Sequence, residues 1–383
     1  SVPDVTYYLG DSITAELSAS YLAGGSLTGA SYDAYWYKQA TSYVPPVPEA
    51  ANYVFGPEYS NYSSTYISEA KGSVNDGGPT RISCNTAPDV IGQAYVYSAE
   101  IGVTDISNQR IFTGAAKVVH PGLFYIGAIK RIGAGFPKTK EKVEIPFVLM
   151  KPDGSYASAE LVNGKIDYTI TRSYWTYLNE DSVDGMYSRW EEVTETVETG
   201  KVNAASKGSI TFTPQKAGRY KLSITAVDKK SNNIKTDKSF YVTGSDYWWY
   251  DSDNASALRL TPDRNFYKAG DTAKLLLESP LTSGDYLVTV ERDTIISSEV
   301  MHIDSPCTQI EIPVKEEYLP VVYVSICSYS KREGEPTHKY GEPDLGKPKG
   351  YYGVTEIFVD KEQASFKVDV TSAKDTYRPG EEV

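Results

Sequence analysis

Phe266-Tyr267-Lys268-Ala269-Gly270-Asp271-Thr272-Ala273-Lys274-Leu275-Leu276-Leu277 is the stretch on which the fold turns. An aromatic residue precedes a Gly-acid step, and Ala273, Leu275 and Leu277 then alternate with Lys274, Leu276 and Glu278. A period of two marks a strand with one buried face. Gly270 supplies the backbone freedom for the turn that admits the chain into that strand. The device occurs again at Tyr8-Leu9-Gly10-Asp11, followed by Ile13, Ala15, Leu17 and Ala19 on one face, and at Tyr377-Arg378-Pro379-Gly380-Glu381. A degenerate copy is expected at Phe124-Tyr125-Ile126-Gly127, with Val143, Ile145, Phe147 and Leu149 as the first alternating strand after it. Self-similarity at this spacing implies a repeated domain.

The chain has 383 residues, enough for two to four domains. Aromatic residues make up 12%, 32 of them tyrosine against only 3 methionines. Tyrosine suits half-buried pleated strands, and no segment sustains a helical period. The expected class is all-β: tandem seven-stranded antiparallel sandwiches. Net charge is −12 without long acidic runs, and no basic patch offers itself to phosphates, so nucleic acid is excluded as a partner. No apolar run approaches the ~20 residues that span a bilayer. No signal peptide is present and the first residues already read as strand. The chain therefore reads as a segment of a longer protein, with its targeting sequence removed.

The copies divide the chain into sandwiches at 1–122, 123–254 and 255–364, with 365–383 as the start of a fourth. Residues 40–89 show little pattern, and strands are expected there near Gly72–Val74 or Thr80–Ser83. Lys165–Trp175 alternates, as do Gly218–Asp228 and the returning Lys238–Val242. Lys331–Gly350, rich in Gly, Pro, Lys and Glu, reads as a solvated loop that cannot bury enough apolar area to order itself.

These residues resemble a known family. Thr261–Leu275, Leu287–Arg292, Ile310–Val314, Val322–Ser325 and Val370–Glu381 are similar to the bacterial α2-macroglobulins, in the macroglobulin domains before the bait region. Thr171–Trp175, Phe212-Thr213-Pro214 and Gly218-Arg219-Tyr220 extend the resemblance into the middle domain. Gly10-Asp11, Ala30 and Val103-Thr104-Asp105 carry it more loosely into the first. The resemblance implies sandwiches of a three- and a four-stranded sheet within a secreted or periplasmic trap for proteases, often lipid-anchored. It implies proteases and neighbouring macroglobulin domains as partners, and no enzymatic activity. The family's Cys-x-Glu-Gln thioester pattern matches none of Cys84-Asn85-Thr86, Cys307-Thr308-Gln309 or Cys327-Ser328-Tyr329. The bait region is expected beyond Val383.

Candidate sites are few. His120, His302 and His338 stand in three different settings, so a Ser-His-Asp or two-His metal arrangement would need partners brought together across domains. Glu191, Glu192, Glu195 and Glu198 follow Trp190, but paired carboxylates in a polar stretch read as a solvated strand or loop rather than a glycosidase pair. Asp251-Ser252-Asp253-Asn254 lacks the oxygen ligand and glycine that a calcium loop needs at its fifth and sixth positions, where Ala255 and Ser256 stand. Tyr247-Trp248-Trp249-Tyr250 reads as an interdomain or partner contact at a domain junction. Cys307 and Cys327 fall on neighbouring expected strands of one domain, which leaves a bridge between them open. No catalytic, cofactor or metal residue is assigned. The expected function is scaffold of a protease trap; the alternative is a tandem adhesion or glycan-binding module, since fold alone does not fix function.

Overall fold

In a computed structural model the described residues are 1–246 and 257–360, apart from 22, 23, 26, 28, 76–78, 183–184, 333, 337–343 and 345, plus scattered positions from 368 onward. The side chains of 175–191 are also outside the description. The chain forms two compact units, Ser1–Trp248 and Trp249–Val383. Among the described residues the first holds two large hydrophobic cores and the second holds one.

The repeated stretch is a corner where the chain changes sheets. In the first sandwich Tyr7–Tyr8 runs parallel to Val119 and His120, at the end of strand Arg110–His120. The Asp11 N–H then donates to the Tyr8 carbonyl at 3.0 Å with Gly10 at φ 94°, the hydrogen bond and positive φ of a type II turn. The Asp11 carboxylate accepts the Tyr8 N–H at 2.9 Å. Beyond the corner, Ser12–Leu17 pairs with Thr80–Asn85 in the opposite sheet. The third sandwich repeats this atom for atom. Phe266–Tyr267 runs parallel to Phe358–Val359, and Gly270 sits at φ 92°. Asp271 donates its N–H to Lys268 at 3.0 Å and accepts that residue's N–H at 3.0 Å. The acid closes the turn, the glycine takes the φ, and the buried Tyr7 or Tyr267 ring anchors the corner in its core.

The middle sandwich makes the same corner, but not at Phe124–Gly127. It lies at Lys138-Thr139-Lys140-Glu141. Lys138 bridges Thr243 in parallel, and the Glu141 N–H reaches the Lys138 carbonyl at 3.3 Å. Lys140 takes φ 66° in the glycine's place. Corners at residues 10, 140 and 270 are evenly spaced. Phe124 instead leads into the strand Tyr125–Ile129, antiparallel to Val143–Met150. Gly127 is there because a Cβ would lie 2.7 Å from the Phe55 ring.

Among the described residues all three sandwiches are antiparallel, as expected of the class, apart from the short parallel pairings at the corners and a parallel bridge of Ala257 to Tyr352, and they hold seven, eight and eight strands where seven each were expected. The first sets a five-stranded sheet against the two strands Ser12–Leu17 and Thr80–Asn85. The second has two four-stranded sheets, and the third has sheets of three and five strands. Residues 40–89 resolve into the 3-10 turn Pro48–Asn52 and the strands Tyr53–Phe55, Thr65–Ser73 and Thr80–Asn85. Tyr53–Phe55 pairs with Tyr125–Ile129 and thus completes a sheet of the second sandwich. Strands Ile166–Ser182 and Gly185–Val202 form a hairpin that Gly218–Val227 flanks only between Asp167 and Ser173. Past Ser173 it continues as a two-stranded ribbon.

Candidate functional site

A polar and aromatic constellation fills the seam between the first two sandwiches. His120 ends the last strand of the first, and its Nδ1 lies 2.7 Å from the Tyr125 hydroxyl. The Tyr43 ring stacks on Tyr125 with centroids 5.3 Å apart and meets the imidazole edge-on at 4.6 Å. The Tyr43 hydroxyl donates to the Pro152 carbonyl at 2.7 Å. Enclosed by these rings, His120 is held at about pKa 4, because burial disfavours the imidazolium. The Tyr125 phenol is pushed well up by the same burial. Both are neutral near pH 7.

Two further clasps surround the rings. Asp228 is fully buried and accepts the N–H groups of Lys230 and Asn232 at 2.8 Å, closing its own turn. Its other oxygen accepts the Leu123 N–H at 2.8 Å, where the chain leaves the first sandwich. Gly122 permits that approach, since a Cβ would stand 2.6 Å from the carboxylate. Lys230 reaches back across the seam to Asp11 at 3.0 Å and covers the Tyr8 ring. The second clasp is the excursion around Tyr53–Phe55. Glu49 bonds the Tyr156 hydroxyl and Lys207, Gly56 donates to Thr236 at 3.0 Å, and Glu58 accepts from Ser239 at 2.8 Å. Ala50, Val148 and Met150 form a small apolar core beneath it. The arrangement locks two sandwiches together.

The other candidate residues stand apart from this seam or outside the described residues. His302 lies on the surface between Asp285 (2.6 Å) and Asp304 (3.0 Å), which raise its pKa, Asp285 first. Both ring nitrogens face carboxylates, and Ser283 donates to Asp304 rather than to the ring. A Ser-His-Asp nucleophile needs the reverse order of contacts. His338 lies outside the described residues. Glu195 pairs with the buried Arg172 at 3.1 Å, and Glu198 accepts the Tyr168 hydroxyl at 2.7 Å. Glu192 is exposed on the same strand, and the Glu191 side chain is not described. Residues Tyr247, Trp248, Trp249 and Tyr250, and Asp251–Asn254 after them, also fall outside the described residues.

The bridge between Cys307 and Cys327 is not formed, and Cys84 is in no disulfide either. Cys307 is buried in the three-stranded sheet opposite Glu278. Cys327 sits on a strand of the other sheet whose core-facing residues are Val322, Val324 and Ile326, so it points away from the core. Sequence neighbours were thus placed on opposite layers. Among the described residues no three His, Cys, Asp or Glu side chains are placed to hold a metal ion.

Residues 258–383 match the family model of the α2-macroglobulin bait region domain. Over 382 residues, 98% of the chain, it is 22% identical to an α2-macroglobulin homolog of Nostoc sp.. The chain resembles the bacterial α2-macroglobulins. It spans 19% of the Nostoc relative's length. Among solved structures, the native conformation of Escherichia coli α2-macroglobulin matches 94% of the chain and 23% of its own, with 16% identity and a TM-score of 0.41. Salmonella α2-macroglobulin reacted with methylamine matches 93% and 22%, with 14% identity and a TM-score of 0.41. The bait region domain match begins inside the third sandwich, where sequence reading had assigned macroglobulin scaffold alone and put the bait beyond Val383.

Proposed function

We propose that the chain is part of the sandwich scaffold of a bacterial α2-macroglobulin-like protease trap that works outside the cytoplasm. Alignment along nearly its whole length with an α2-macroglobulin homolog is the observation that carries this reading. The seam supports it, because a trap that encloses a protease needs rigid domain pairs to transmit a cleavage into a change of shape. Its partners are then proteases, met by the whole protein, and the neighbouring macroglobulin domains of the same polypeptide. The chain contributes geometry and no catalysis. None of its three cysteines carries the Cys-x-Glu-Gln pattern, so covalent capture, where it occurs, belongs to other parts of the polypeptide.

The test is a protease assay at two substrate sizes. As scaffold, the purified 383-residue chain leaves trypsin and elastase fully active on both casein and a small chromogenic peptide. The longer polypeptide to which it belongs suppresses casein cleavage while sparing the small peptide. Stoichiometric inhibition by the 383-residue chain alone, or a longer polypeptide that spares casein, overturns the reading.

A further inference from the structure

One lysine of the second sandwich stands on the core-facing side of its strand. Along Asn233–Val242 the even-numbered residues face inward. Ile234, Phe240 and Val242 belong to the core, and Thr236 is buried with its hydroxyl donating to the Ile126 carbonyl at 2.5 Å. Lys238 continues that face, since side chains alternate along a strand. It pairs with Leu222, which is fully buried in the same core. An inward charge on an edge strand is one device against pairing with other chains. Here that edge is already covered, because Asp237 donates its N–H to the Gly56 carbonyl and Gly56 donates to the Thr236 hydroxyl, both at 3.0 Å. The inward lysine is left without that task.

The Lys238 amine has no hydrogen bond or ion pair among the described residues. The acids around it are engaged elsewhere. On the other face of the same strand Asp237 pairs with Lys235 at 3.1 Å and accepts the Ser223 hydroxyl at 2.6 Å. Glu58 accepts from Ser239 at 2.8 Å and meets Arg219 at 3.4 Å. From the opposite sheet comes Lys130, which follows Tyr125–Ile129 and donates its backbone N–H to the Asn52 carbonyl at 2.8 Å. Half-buried between these groups, Lys238 is held below the ordinary range of a lysine. Burial is the main cause; Glu58 opposes the shift and the Lys130 ammonium adds to it. A larger share of this amine is therefore neutral, and hence nucleophilic, than of an exposed lysine at the same pH.

We propose that Lys238, an unpaired lysine on the core-facing side of an edge strand, is a carbamylation site that takes up carbon dioxide. The amine lone pair forms a C–N bond to the carbon, one C–O π pair moves onto oxygen, and the amine's proton passes to water. An N-carboxylate is left, and no further reactant is needed. Carbon dioxide is small and uncharged, which suits an amine set between two sheets. The product inverts the local electrostatics: an ammonium that Lys130 repels becomes an anion that Lys130 attracts. Carbamylation thereby ties Asn233–Val242 to the end of Tyr125–Ile129 in the opposite sheet.

The experiment equilibrates the 383-residue chain with isotopically labelled bicarbonate at neutral pH. Carbamates are then trapped by O-alkylation with a trialkyloxonium salt, and each lysine is read by peptide mass spectrometry. Lys216 and Lys229, both exposed, serve as references. Lys238 is expected to carry several times more label than either. Lys130→Gln is expected to lower that label several-fold, because it returns the amine towards its ammonium form and also removes the counter-charge of the product. Bicarbonate at constant ionic strength is expected to raise the melting midpoint of the native chain and not that of Lys238→Met, whose apolar side chain suits an inward position. If Lys238 carries no more label than Lys216 and Lys229, it is not a carbamylation site. If Lys130→Gln labels as the native chain does, Lys130 is not the counter-charge. An equal rise in melting midpoint for both proteins is a salt effect and overturns the tie between the sheets.

Discussion

At the scale of single residues, the corner shows how a backbone requirement becomes a sequence signal, and how the signal is lost. Gly10 and Gly270 have open space where a Cβ would stand, so their identity is set by φ alone. Gly270→Ala is expected to cost about 1–2 kcal/mol, the penalty of the left-handed region for a residue with a Cβ. Lys140→Gly is expected to stabilise by about 0.5–1 kcal/mol, since relief of that strain exceeds the extra freedom of the unfolded chain. Urea melts of the three proteins check both signs, and a destabilised Lys140→Gly variant would refute the assignment of the second corner. That corner was unreadable in the sequence because lysine removes the one residue type that marks a positive φ. The aromatic Phe124 and the nearby Gly127 then attracted the reading, although that glycine answers to the Phe55 ring. His120 supplies a second test. Its folded pKa near 4 lies below the unfolded value of about 6.5, so the unfolded state takes the proton first. The contribution is complete above pH 6.5 and lost as pH falls to 4, by at most about 3 kcal/mol. His120→Gln should flatten the stability profile in that window relative to the native chain; parallel profiles would mean the imidazole is not held neutral by the seam.

At the scale of elements, strands that alternate over a core were legible, and strands selected by something else were not. Val143–Phe147 and Gly218–Val227 alternate because one face packs inward. Tyr53–Phe55 is three residues long and pairs outside its own sandwich, so neither length nor period announces it. The ribbon past Ser173 has lost the flanking strand that would select an alternating face, and its carboxylate-rich sequence reads as loop. The loop between Tyr329 and Gly350 was read as unable to order itself, yet its base is tied: Ser330 exchanges hydrogen bonds with Lys349, and Arg332 grips Asp344 through two at 3.1 and 2.7 Å. That ion pair is solvent-exposed and contributes little. Limited trypsin is therefore expected to cut first at Lys331, Arg332 or Lys349, which are exposed, before Lys221 or Lys274 within strands. Arg332→Ala should change the sites hardly at all beyond losing its own. A first cut at Lys221 or Lys274 would mean that the strands open before the loop does.

At the scale of the molecule, the repeat is regular but its junctions need not be equivalent. The first two sandwiches share a compact unit because a short piece of one chain segment is built into the other's sheet. Tyr53 and Phe55 are half-buried against Val148 and Met150, and the Phe55 ring meets Tyr125 edge-on with centroids 6.2 Å apart. Replacing both with alanine removes apolar contact worth about 2–4 kcal/mol from the seam while leaving both main cores intact. Each core can support a domain of this size by itself. Cooperativity between them depends on the seam rather than on either core, so the double variant should split one calorimetric transition of the first unit into two. The second sandwich should melt first, since it loses the side chains of its borrowed edge strand. The Asp228–Leu123 clasp at the chain crossing stays in place and limits how far the transitions separate. A single transition lowered as a whole would show that this clasp and the His120 rings suffice to couple the pair, and that the borrowed strand is only an edge cover.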